Sequence, residues 1–111
     1  MKVFVYSNGL ELSENYRLTL HSRLESVLSH FGRSINRVNV YLQDANGQKG
    51  GVDKVCRLVV HLRRQPSVVI EDRDAELAPL IGRVLERASQ VTQRKFTRRR
   101  SRSGAGSMSG G

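Results

Sequence analysis

The stretches INRVNVYLQ (35–43), KVCRLVVHL (54–62) and SVVIE (67–71) decide the fold. In the first, Val38, Val40 and Leu42 alternate with Arg37, Asn39 and Tyr41. In the second, Cys56, Leu58, Val60 and Leu62 alternate with Val55, Arg57, Val59 and His61. A period of two in segments rich in β-branched residues is the pattern of strands with one face buried. DANGQKGG, from Asp44, reads as a flexible turn between the first two, and Arg64, Gln65 and Pro66 as a short turn before the third. Strands joined in sequence by turns of this kind form an antiparallel meander.

On either side of the meander the period changes. Upstream, Tyr16, Leu20, Leu24, Val27, Leu28 and Phe31 recur at helical spacing, with Ser13 placed to cap the first turn, Glu14 inside it and Gly32 as the stop. Before that helix, KVFVYS (2–7) reads as a strand ended by Asn8-Gly9, with Val3 and Val5 on one face and Phe4 and Tyr6 on the other. Downstream, Leu77, Leu80, Ile81, Val84, Leu85, Ala88 and Val91 form the apolar stripe of a helix from about residue 76 or 78 to Phe96, with Pro79 tolerated in its first turn. The acidic run Glu71, Asp72, Asp74 and Glu76 is expected to cap and charge the start of that helix.

The order is therefore β-α-β-β-β-α. The fold class expected is α+β, a four-stranded sheet with two helices packed on one face, because that arrangement buries both helical stripes against the apolar side of the strands. The helix between the first two strands is a crossover long enough to make them parallel neighbours. Two regions are expected: a folded domain over 1–96, and a basic tail over 97–111. In the tail only Ala105 and Met108 have apolar side chains, so it is expected to be disordered when free.

Charge divides along the same line. The chain of 111 residues has a formal net charge of +9. Residues 1–93 hold 13 Lys and Arg against 10 Asp and Glu, whereas residues 94–111 hold six basic residues and no acid. A mildly basic domain running into a strongly basic arm is the footprint of a polyanion binder. Arg83, Arg87 and Arg94 fall on one flank of the last helix, with Lys95, Arg98, Arg99 and Arg100 beyond, and guanidinium is suited to bidentate contact with phosphate oxygens. Arg23 and His30 share a flank of the first helix, and Arg17 lies on the other side of its apolar stripe. Phe96 could stack on an unpaired base but more simply ends the apolar stripe. The uncovered sheet face, with Phe4, Tyr6, Asn39, Tyr41, Arg57 and His61, is a second candidate surface.

Other chemistries find little to use. His21, His30 and His61 fall on separate elements, and no Gly-rich phosphate loop, nucleophile elbow or metal-ligand spacing occurs. No enzymatic activity, cofactor, metal or small-molecule substrate is expected. Cys56 is the single cysteine and lies in an apolar run, so the chain is expected in a reducing compartment, the cytosol, with no membrane partner.

Over residues 1–96 the sequence resembles the ribosome hibernation factors, the family of hibernation-promoting factor and of the ribosome-associated inhibitor also known as the sigma-54 modulation protein. The resemblance rests on Leu12, Ser13, Tyr16, Arg17, Leu20, Arg23, Leu24, Val27 and Phe31 in the first helix. Arg33, Ile35 and Val38 match the junction that follows, and Asp72, Leu77, Leu80, Ile81, Arg83 and Val84 the approach to the last helix. Asp74 stands where the family usually has Tyr, and Pro79 where a small flexible residue is typical. The resemblance implies a short form that binds the messenger and transfer RNA channel of the small ribosomal subunit, contacts its rRNA and inhibits translation, the free protein being monomeric. Carried over by position, Arg17, Arg23, Arg83 and Arg87 would make the contacts. Two alternatives remain at this level: a generic double-stranded RNA-binding module, and an interaction domain for an acidic protein.

Overall fold

The computed structural model describes residues 1–44 and 54–103, with side chains described as far as Thr97. The elements run β1 (Lys2–Asn8), α1 (Glu14–Leu28), a 3-10 segment (Ser29–Ser34), β2 (Ile35–Asp44), β3 (Lys54–Leu62), β4 (Val68–Asp74) and α2 (Leu77–Ser103). The sheet order is β1-β2-β3-β4. β1 is parallel to β2, and the other two pairings are antiparallel. This is the α+β architecture expected, and the parallel pair follows from the crossover through α1.

One face of the sheet makes the core. Val38, Val40 and Leu42 of β2, Cys56, Leu58 and Val60 of β3, and Val68 and Ile70 of β4 are buried there against Leu20, Leu24 and Leu28 of α1 and Leu80, Ile81, Val84, Leu85 and Ala88 of α2. Both helices lie on this face because both apolar stripes need the same surface. Ser13 caps α1 as its sequence suggests, its Oγ accepting from the Tyr16 N–H at 3.0 Å. Gly9 ends β1 at φ +76°, and a Cβ there would sit 3.2 Å from the Asp44 carbonyl oxygen, so the turn needs glycine twice over. In the β3–β4 turn it is Arg64 that takes a positive φ, 64°.

Several boundaries differ from the sequence reading. The α-helix ends at Leu28 instead of Phe31, and a 3-10 segment of weak helix formers, Ser29–Ser34, carries the chain to β2. Gly32 lies inside that segment and is not the stop. β4 runs to Asp74, three residues past Glu71, so Glu71, Asp72 and Asp74 are strand residues and not the first turn of a helix. Asp74 still serves the helix entry, accepting from the Glu76 N–H at 3.0 Å, and Glu76 directly precedes the first helical residue. α2 continues to Ser103, seven residues beyond the domain edge drawn at Phe96. The expected turn after Asp44 (45–51) and the end of the tail (104–111) lie outside the described residues. Phe96 packs: its ring stacks on Phe31 with centroids 5.4 Å apart, which closes α2 over the 3-10 segment.

Two buried groups allow direct tests. The Cys56 thiol is pushed up to about 12, by burial first and by the charge of Asp72 second, so it stays protonated and inert at neutral pH. It should react with a disulfide reagent only as fast as the domain opens, and rapid labelling of native protein would contradict its placement. Thr92 is fully buried on the α2 stripe, and among the described residues its Oγ1 has no hydrogen-bond partner. Thr92→Val keeps the shape and removes the unpaired hydroxyl, so denaturant unfolding should show stability unchanged or raised by about 1 kcal/mol.

Candidate nucleic-acid interface

Two of the candidate arginines are committed to the fold. Arg17, in the second turn of α1, reaches back to β1. Its Nη1 donates to the Val5 carbonyl at 2.9 Å and its Nη2 to the Ser7 Oγ at 2.9 Å. Arg83, in the second turn of α2, does the same at β4. Its Nε donates to Asp72 Oδ2 at 3.0 Å, its Nη1 to Asp74 Oδ2 at 2.8 Å and its Nη2 to the Arg73 carbonyl at 2.9 Å. β1 and β4 are the two edge strands of the sheet. Each helix therefore sends one guanidinium to a main-chain carbonyl of the edge strand beside it, which blunts an edge otherwise open to further pairing.

The Arg83 clasp has an electrostatic signature. The Arg83 hydrogen bond, followed by the Arg73 N–H, holds the Asp72 carboxyl below the usual carboxylate range. Asp74 is lowered too, first by the Glu76 N–H and then by Arg83. The guanidinium is shifted upward in return. The sequence contained a signal for this arrangement. Asp72 and Asp74 continue the inward parity of Val68 and Ile70, which places two carboxylates on the helix side of the sheet.

The remaining candidates divide by exposure. Arg87 is half exposed and only loosely drawn to Asp72, with Nη1 at 3.7 Å. Arg23 and Arg94 are exposed, and Lys95 is partly buried. Among the described residues, Arg23 and Arg94 form neither a hydrogen bond nor an ion pair, so their charge is available to a ligand. Arg98, Arg99 and Arg100 lie on the helical backbone of α2, which continues past Phe96 to Ser103. The structure thus brings Arg83 and Arg87 together on Asp72 and leaves Arg23, Arg94 and Lys95 as the outward charges of the helix layer. His21 pairs with Glu25 at 3.6 Å within α1, and His61 meets the Ser67 hydroxyl at 3.1 Å. Among the described residues no His, Cys, Asp or Glu cluster is arranged to hold a metal, and no helix is long and apolar enough to cross a membrane.

Comparison with solved structures finds this architecture elsewhere. The N-terminal domain of Thermus thermophilus Protein Y matches with a TM-score of 0.65 at 20% identity, covering 85% of this chain and 98% of that one. The chain has the Protein Y fold. A ribosomal subunit interface protein from Coxiella burnetii matches with a TM-score of 0.68 at 11% identity, covering 86% of this chain and 99% of its own. Both neighbours are of the hibernation-factor family that the sequence resembles. At such identities the likeness establishes a shared fold. No protein-family model matches the sequence, and no curated protein matches it.

The clasp makes a pH-dependent prediction. Carboxylates with depressed folded pKa values stabilise fully above their unfolded value of about 3.9, and that contribution is lost as pH falls through the folded values. Arg83→Met should lower the thermal midpoint at neutral pH. The gap to the parent should narrow on acidification from about pH 5 toward pH 2. A gap that stays constant across that range would show that the ion pairs add nothing to the stability of the domain.

Proposed function

We propose that the chain is a ribosome hibernation factor that binds the small subunit in the channel for messenger and transfer RNA and so holds idle ribosomes inactive. The observation that carries this reading is that a likeness of sequence pattern and a likeness of fold point to the same family. The helix pattern resembles the hibernation factors, and the fold is shared with a ribosomal subunit interface protein. The protein works by occupying rRNA, not by making or breaking bonds.

In this reading the basic residues have two kinds of role. Arg23, Arg87, Arg94 and Lys95 meet phosphates directly, and Arg98, Arg99 and Arg100 continue the contact along the extended α2. Arg17 and Arg83 fix the two helices against the sheet edges and so set the spacing of the others. They are positioning residues with part of their donor capacity already used. The last turns of α2 add affinity mainly through phosphate neutralisation, which is salt-sensitive and indifferent to sequence.

Co-sedimentation with ribosomal subunits across a salt series tests the proposal. The chain should travel with the small subunit and with the intact ribosome, and binding should fall steeply as salt rises. Arg23→Glu with Arg94→Glu, both exposed and without an ion-pair partner among the described residues, should weaken binding by on the order of tenfold or more at matched salt, with an unchanged thermal midpoint. Folded protein that fails to co-sediment at low salt would overturn the assignment, and full affinity in the double variant would remove these residues from the interface.

A further inference from the structure

The face of the sheet turned away from both helices has nothing packed on it among the described residues, yet it is not a plain polar surface. Phe4, Tyr6 and Tyr41 remain 40%, 49% and 40% exposed there. Pairing registers Tyr6 beside Tyr41, Tyr41 beside Arg57 and Arg57 beside Glu71, one row across all four strands. The rings of Tyr6 and Tyr41 stack, with centroids 5.2 Å apart and planes 13° from parallel. Asn39, nine-tenths buried, donates from Nδ2 to the Tyr41 hydroxyl at 3.0 Å and so fixes where that ring lies.

Because Tyr6 occupies the β1 side of Tyr41, the other side of the ring turns toward β3. There it forms one wall of a groove of about 510 Å³, whose floor is Val55 and Val59 and whose polar groups are Gln43, Arg57, His61 and Glu71. An aromatic wall over an apolar floor suits a flat ring, and the Glu71 carboxylate offers an acceptor to an exocyclic amine. A bare phosphate could use neither. Around the groove the charge is positive: Lys2, Arg37, Arg57 and Arg73 project on this face against Glu71. Among the described residues, Lys2, Arg37 and Arg57 form no ion pair. A second copy docked face to face would bring two such surfaces of like charge together.

We propose that this open sheet face is a second RNA site, one that takes an unpaired nucleotide with its base stacked on Tyr41 and its flanking phosphates on Arg57 and Arg37. The site is separate from the helix layer, which lies on the opposite side of the sheet and offers cations for a phosphate backbone but, among the described residues, no exposed Phe or Tyr ring. A duplex hides the faces of its bases, so the groove selects single strands. With the two sites, the protein grips backbone on one side and an unstacked base on the other.

The test uses the full chain and short labelled oligoadenylate, with a duplex of the same length as control, read by fluorescence anisotropy and by amide and aromatic chemical shifts. Shifts should concentrate at Tyr6, Tyr41, Val59 and His61. Tyr41→Leu should weaken single-strand binding about fivefold or more, whereas Tyr41→Phe, which keeps the ring, should stay within about twofold of the parent. Arg57→Ala, a change at an exposed position, should also weaken it, which covers the case in which Tyr41→Leu perturbs folding. Neither Tyr41→Leu nor Arg57→Ala should alter duplex binding. Shifts confined to the helices and the arm, equal affinity in Tyr41→Leu and Tyr41→Phe, or sheet-face shifts that track protein concentration and not RNA would each overturn the proposal, the last by showing that a second copy covers the face. Loss of ribosome co-sedimentation leaves this measurement untouched, so the two proposals fail separately.

Discussion

Burial of a single face of a four-stranded sheet is the constraint on which the other features of this domain depend. A sheet dry on one side needs helices whose apolar stripes together cover it, and α1 and α2 do so with leucines and β-branched residues in nearly every buried position. The other face is then free of packing demands. It can carry Tyr6, Tyr41 and Arg57 in one row without cost to the core. The two surfaces proposed to meet RNA are therefore the outer side of the helix layer and the open side of the sheet, separated by the core.

Sheets of this kind have two edges, and here each is closed by an arginine from the neighbouring helix. Arg17 reaches the Val5 carbonyl and Arg83 the Arg73 carbonyl. The two sites differ in chemistry. Arg17 donates to a carbonyl and a hydroxyl, with no acid to pair it among the described residues, and Arg83 sits between two carboxylates on a strand that extends inward-facing parity from Val68 to Asp74. An exposed ion pair contributes little on its own, but a guanidinium with three simultaneous acceptors holds the start of α2 in a fixed place relative to β4. That fixes the direction in which the rest of the helix, with Arg87 and Arg94, leaves the domain.

The same arrangement explains why a stripe of arginines at helical spacing is an ambiguous sign. Arg83, Arg87 and Arg94 share a flank by periodicity, yet the first is bound to the sheet, the second is loosely tethered to the same aspartate, and the third is exposed. Phe96 illustrates the converse. Its position within a basic run suggests a base-stacking role, but Phe31 occupies its ring face.

The element order, the inward residues of β1, β2 and β3, the Ser13 cap and the parallel crossover were determined by the sequence alone, because each is a local consequence of periodicity, capping chemistry or connection length. The open-face row was half visible in the same way: alternation shows that Tyr41 and Arg57 point outward, but not that they are neighbours. What only the tertiary structure decided is which charges are used internally. Arg17 finds Val5 twelve residues back and Arg83 finds Asp72 eleven back, across a strand-to-helix turn in each case. Those meetings depend on where the sheet ends and how each helix lies across it. The extent of β4 was hidden for a related reason. Asp72 and Asp74 are poor strand formers by propensity, and they hold strand geometry because β3 pairs with them and Arg83 neutralises them, two partners that local sequence does not specify.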